Sequence, residues 1–111
     1  AWARHRTHHA ALAAGLAALG IDFVVDAAWR LPQLNCVTIP AGVDDAALRR
    51  KLLDEYNLEI GAGLGPLAGK VWRIGLMGHA ANRTNVLFCL GALEALLGRT
   101  GAVAAARASY G

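Results

Sequence analysis

The chain has 111 residues, 56% of them hydrophobic and 17% charged, with a formal net charge of +3. That length is one domain's worth and can bury a core without disulfides or metal. The arginines are scattered rather than clustered, which gives nucleic-acid binding little support, and no apolar run approaches the roughly eighteen residues of a membrane span, so a soluble protein is expected.

From Trp2 to Leu19 there is no proline, alanine is abundant, and Leu12, Leu16 and Leu19 recur at helical spacing before Gly20. This predicts a first helix with a glycine stop. Ile21–Val25 and Gln33–Ile39 are short runs rich in β-branched residues, the second bounded by Pro32 and Pro40, and both are predicted strands. Asp44 and Asp45 are capping residues for a second helix that places Leu48, Leu52 and Tyr56 on one stripe and ends near Asn57. Leu58–Ile60 reads as a brief strand, followed by a glycine-rich turn over Gly61–Gly69 and a strand over Lys70–Met77. Asn82 or Thr84 opens a last helix whose Val86, Cys89, Leu90, Leu93 and Leu97 keep helical spacing up to Gly98. The tail after Arg99 is weakly patterned and expected to fray. The order α-β-β-α-β-β-α implies an α+β fold, a small, mostly antiparallel sheet with helices packed on one face.

One charge interrupts this pattern. In the strand Lys70–Met77, Arg73 stands where an aliphatic residue is expected. Strand alternation places Trp72, Ile74 and Leu76 on one face, which reads as core, and Val71, Arg73, Gly75 and Met77 on the other. Gly75 has no side chain and leaves room two residues from the guanidinium. A guanidinium on a rigid strand beside open space is suited to gripping a carboxylate through two parallel hydrogen bonds. The residues alone leave a second reading open, an edge-strand arginine whose stem packs while its head reaches water.

Other motifs fail on their surroundings. Gly61-Ala62-Gly63-Leu64-Gly65 resembles a phosphate cradle, but a dinucleotide fingerprint opens into a helix and this run returns to a strand, so a hairpin-like connection is expected. Gly69-Lys70 has Leu64 where a P-loop needs glycine and lacks a following Ser or Thr. His5 and His9 share a helix face at metal-binding spacing, but no acidic residue stands close by and a solvated face is the simpler reading, so no metal site is assigned. The two lysines, Lys51 and Lys70, lie on a polar helix face and at a strand mouth. Asp44 and Asp45 read as caps, Glu94 lies on the last helix, and no acid/base pair is evident. The single serine, Ser109, is in the tail, which removes a serine nucleophile. Cys36 and Cys89 lack zinc or redox spacing and read as reduced packing residues.

Several stretches together carry a family resemblance: Arg30-Leu31-Pro32, Val37-Thr38-Ile39-Pro40-Ala41-Gly42, Leu58 through Gly78, and Asn82-Arg83-Thr84-Asn85-Val86. They closely resemble the C-terminal small domain of the alanine/glyoxylate and serine/pyruvate aminotransferases, class V enzymes of fold type I that use pyridoxal phosphate. The most specific part is the glycine-rich turn with the Gly69-Lys70-Val71-Trp72-Arg73-Ile74-Gly75 strand. The resemblance implies that Arg73 binds the substrate carboxylate and that residues 1–98 form the small domain, with 99–111 as a tail. It also implies that the Schiff-base lysine and the rest of the pyridoxal phosphate site belong to an upstream large domain. On that reading no catalytic and no cofactor-binding residue lies in this chain, which is expected to be a fragment, inactive alone. Its partners would be its own large domain and a second subunit of a homodimer, its substrates small amino and oxo acids. The sequence ends without a peroxisomal Ser-Lys-Leu address, and a cytoplasmic setting is the expectation. Two alternatives stay open: a ureidoglycine/glyoxylate aminotransferase of purine breakdown, and a free-standing, non-catalytic carboxylate-binding domain.

Overall fold

The computed structural model describes residues 2–24, 36–63, 65–74 and 82–111, without the side chains of Trp2 and His5. The class is α+β: a small open three-stranded antiparallel sheet and four α-helices among the described residues. The Arg30-Leu31-Pro32 motif, residues 33–35 of an expected strand, Leu64 and Gly75–Met77 lie outside them. The chain divides into two compact units, residues 1–20 with 76–111 and residues 21–75.

The first unit is helical. Helix α1 (Trp2–Ala18) buries Ala11, Leu12, Leu16 and, just past its end, Leu19, the stripe that leucine spacing predicts. The chain leaves α1 through Gly20, whose φ of 78° is the left-handed stop expected of glycine. The Leu19 carbonyl at that end accepts from Arg99 Nη1, a cation placed where the helix dipole favours one. Helix α3 (Arg83–Leu97) is capped by Asn82, whose side chain accepts from the Asn85 N–H at 2.8 Å, and it stops at Gly98 with φ 65°. Its buried residues are Val86, Cys89, Leu90, Ala92 and Leu93.

Residues 102–110 correct the expectation of a frayed tail: they form helix α4 (Ala102–Tyr110), which packs against α1 and α3. Its N-cap, Gly101, has no side chain to satisfy the first amides. Glu94 of α3 does so instead, Oε2 accepting from the Ala102 and Val103 N–H groups at 2.8 and 3.2 Å. At the other end Tyr110 lies between helices, its hydroxyl 2.8 Å from His8 Nδ1 and the Arg83 guanidinium 5.2 Å from its ring centre.

The second unit holds the sheet and helix α2 (Asp45–Tyr56). Asp44 caps α2, accepting from the Ala47 N–H at 3.1 Å, and Asn57 ends it in the left-handed conformation with φ 53°. Leu48 and Leu52 are buried, while Tyr56, expected on the same stripe, is half-buried. Strands β1 (Cys36–Thr38), β2 (Gly61–Ala62) and β3 (Val71–Arg73) pair in the order β1-β3-β2, both pairings antiparallel. Of the strand expected over Ile21–Val25, the described residues show a bridge between Phe23 and Val37, flanked by Val24 N–H to Cys36 O and Thr38 N–H to Asp22 O, both 2.8 Å. The strand expected at Leu58–Ile60 lies further along, at Gly61–Ala62, inside the run that composition assigns to the turn. Between β2 and β3 a short 3₁₀ turn, Gly65–Leu67, and Gly69 at φ 76° reverse the chain into an antiparallel hairpin.

Candidate functional site

Arg73 ends the central strand of the sheet, with β1 on one side and β2 on the other. That position removes the edge-strand reading. Its register partners are Cys36 and Gly61, so the three residues form one row across the sheet. The neighbouring row is Val37, Trp72 and Ala62, and its Val37 and Trp72 are completely buried. Every residue of the Arg73 row is half-buried. Burial does not alternate strictly along β3, since Val71 and Ile74 are covered as well as Trp72, but the guanidinium row keeps access to solvent.

The guanidinium has a defined seat. Arg73 Nε donates to the Ala62 carbonyl at 2.7 Å, and the group lies over Gly61, where a Cβ would stand 3.1 Å from Nη2. Among the described residues no carboxylate meets it, and the ion pair present there joins Arg49 and Asp45. Its two terminal nitrogens therefore have no protein acceptor among those residues. With Nε committed to the backbone, Nη1 and Nη2 remain as a two-pronged donor that matches the two oxygens of a carboxylate.

The strand under that arginine is tied to α2. The Trp72 indole N–H donates to Asp45 Oδ1 at 2.6 Å, and Asp45 also accepts from Arg49 Nε at 2.8 Å and Nη2 at 3.4 Å. The Arg49 guanidinium, helped by the Trp72 indole, holds the Asp45 carboxyl below its ordinary range against the opposing effect of partial burial. Sequence reading takes Asp45 for a cap; the cap is Asp44, which frees Asp45 for this contact.

The remaining candidates do not converge on Arg73. Lys51 and Lys70 are exposed. Cys89 is buried and its thiol is pushed up to about 12 by desolvation, whereas Cys36 is half-buried in the Arg73 row. Glu94 is engaged at the start of α4. No cluster of three or more metal-ligating side chains occurs among the described residues, and His5, one half of the sequence pair, has no described side chain. Likewise Gly75, the glycine given the role of making room, lies outside them; the glycine seen beside the guanidinium is Gly61. Gly61 was legible only as part of a turn, because cross-strand register is not written in composition.

Comparison with known proteins gives these features a family. The chain is 49% identical over 94 residues, 85% of its length, to (S)-ureidoglycine–glyoxylate transaminase of Bacillus subtilis (strain 168). It is 43% identical over 99 residues, 88% of its length, to alanine–glyoxylate aminotransferase of Felis catus. The chain matches the C-terminal part of the glyoxylate aminotransferases. In structure the chain superposes on ureidoglycine–glyoxylate aminotransferase from Bacillus subtilis with a TM-score of 0.86 and 45% identity, covering 96% of this chain and 30% of that one. Against alanine–glyoxylate aminotransferase from Nostoc sp. the TM-score is 0.78 at 46% identity, covering 86% of this chain and 26% of that one. The segment spans about a quarter of the curated relatives' length, 23% and 24% for the two named above. A scan against protein-family models gave no match.

Proposed function

We propose that this chain is the substrate-carboxylate-binding part of a pyridoxal-phosphate-dependent aminotransferase that passes an amino group from alanine or serine to glyoxylate or pyruvate. The observation that carries the proposal is the seat of Arg73: a central-strand guanidinium with one nitrogen bonded to the Ala62 carbonyl and two terminal nitrogens without an acceptor among the described residues. An amino acid and an oxo acid share the α-carboxylate, so one clamp serves both halves of a transamination. Held at that end, the substrate presents its amino or carbonyl carbon in a repeatable orientation, which supplies positioning rather than bond-making.

Pyridoxal phosphate, when bound, supplies the electron sink for the reaction. The residues described in this chain do not fit that group: Lys51 and Lys70 are both exposed, and neither has the dry surroundings that activate a Schiff-base lysine. We therefore assign the cofactor to the remainder of a longer protein and give this chain no bond-making role. The partners on this reading are that remainder and a second subunit.

In the full-length enzyme, Arg73→Ala is expected to raise KM for both the amino acid and glyoxylate by about one to two decades, the worth of a charge-assisted bidentate pair. The absorbance of bound pyridoxal phosphate should be retained. Unchanged kinetics with both substrates would refute the role. A second reading, ureidoglycine as the amino donor, is supported by the likeness to the Bacillus subtilis transaminase in both sequence and structure. Initial rates with glyoxylate and alanine, serine or ureidoglycine separate the two.

A further inference from the structure

We propose that Asp45 is a positioning residue for the Arg73 clamp, its carboxylate bracing β3 against α2 through the indole of Trp72. The inference rests on the reading of Arg73 as the carboxylate clamp and adds what holds that clamp in place. Strand β3 has three residues, so its ladder alone offers few bonds to fix where the guanidinium starts. Trp72 is completely buried, and its N–H donates to Asp45 Oδ1. A buried N–H without a partner is strongly disfavoured, so the bond restricts both the indole and the backbone that bears it. Arg73 is the next residue. Fixing the Trp72 Cα and peptide therefore fixes the root of the Arg73 side chain.

Asp45 is itself prevented from turning away. Arg49, one helical turn later, approaches both of its oxygens, Nε at 2.8 Å to Oδ1 and Nη2 at 3.4 Å to Oδ2. The carboxylate also stands in the first turn of α2, where the helix dipole favours a negative charge. The result is a chain of contacts from Arg49 to Asp45 to Trp72, ending one residue from the clamp. Loss of the brace leaves the guanidinium intact and lets its strand shift, and small misplacements of a binding group weaken the complex it forms.

The test uses the full-length holoenzyme and four variants: Asp45→Ala, Asp45→Asn, Trp72→Phe and, as the reference for the clamp itself, Arg73→Gln. Asp45→Ala and Trp72→Phe are expected to raise KM for glyoxylate about three- to tenfold with kcat within about twofold of the parent. Asp45→Asn, whose amide oxygen still accepts from the indole, should restore most of the affinity. Trp72→Phe keeps most of the buried volume, so it decides the matter if Asp45→Ala fails to fold. Parental KM in Asp45→Ala and Trp72→Phe, with KM raised in Arg73→Gln, overturns the brace and leaves the clamp standing. Parental KM in Arg73→Gln overturns the clamp, and the brace with it.

Discussion

Gly61 lies directly across the β2–β3 ladder from Arg73, and a Cβ there would stand 3.1 Å from Nη2 and 3.3 Å from Cζ and Nε. The glycine lets the guanidinium lie flat against β2 and bond the Ala62 carbonyl at 2.7 Å. One nitrogen is spent on holding the side chain; the two terminal nitrogens have no acceptor among the described residues and, on the proposed reading, take the substrate carboxylate.

That division of labour cannot be met by lysine, which has a single ammonium on a flexible stem. Arg73→Lys in the full-length enzyme should keep the charge yet raise KM for glyoxylate by about tenfold, near 1.4 kcal/mol. Steady-state kinetics check this, and parental KM in the lysine variant would show that charge alone suffices.

Two glycines of the same run differ in what surrounds them. A Cβ on Gly63 would stand 2.3 Å from the Leu67 carbonyl oxygen and 2.8 Å from its carbon, both backbone atoms that no rotamer change can move. At Gly61 the obstacle is a flexible side-chain end. Gly63→Ala should destabilise by about 1 to 3 kcal/mol, and Gly61→Ala by clearly less. Urea unfolding of the two variants, compared at equal slope, gives the order.

The Asp45 carboxyl is held below its ordinary value of 3.8, first by the hydrogen bond from Arg49. A carboxyl lowered in the folded state contributes stability that is fully present above the unfolded value and is lost as pH falls through the folded one. Stability of the parent should therefore fall below about pH 4, and part of that fall should vanish in Asp45→Asn. Equilibrium unfolding at pH values from 5 down to 3 would show the two curves converging.

Helix α4 begins on a borrowed cap. Glu94→Ala removes the acceptor of the Ala102 and Val103 amides, and Gly101 has nothing to offer in its place. A cost of about 0.5 to 2 kcal/mol is expected, as for loss of an N-cap side chain. Hydrogen exchange should quicken at the amides of residues 102 and 103 while the core of α3 stays protected.

The two thiols should separate cleanly. Cys89 is buried and pushed up to about 12, so it stays protonated and shielded at pH 8, whereas Cys36 is half-buried in the Arg73 row. Alkylation of the native protein followed by peptide mass mapping should mark Cys36 and leave Cys89 unmodified until the protein is denatured.

Local chemistry made much of this chain legible. The leucine stripe of α1, the Asp44 and Asn82 caps, the stops at Gly20 and Gly98 and the conspicuous charge of Arg73 each depend on residues within a turn or two of one another. Backbone geometry acts over that same range, so sequence spacing suffices to read it.

Tertiary structure decided the rest. Helix α4 was hidden because its capping oxygen comes from Glu94, eight residues before the amide it serves, and its apolar face is mostly alanine. Strand β2 fell within the glycine run because two residues of Gly and Ala become a strand only by pairing with Arg73 and Trp72. The seat of the guanidinium on Ala62 and the reach of Trp72 to Asp45 span 11 and 27 residues of sequence. From its own sequence the chain determined which residue carries the unusual charge. Only folding decided that this charge stands on a central strand with two nitrogens that meet no acceptor among the described residues, because register and cross-strand contacts come from packing between distant segments.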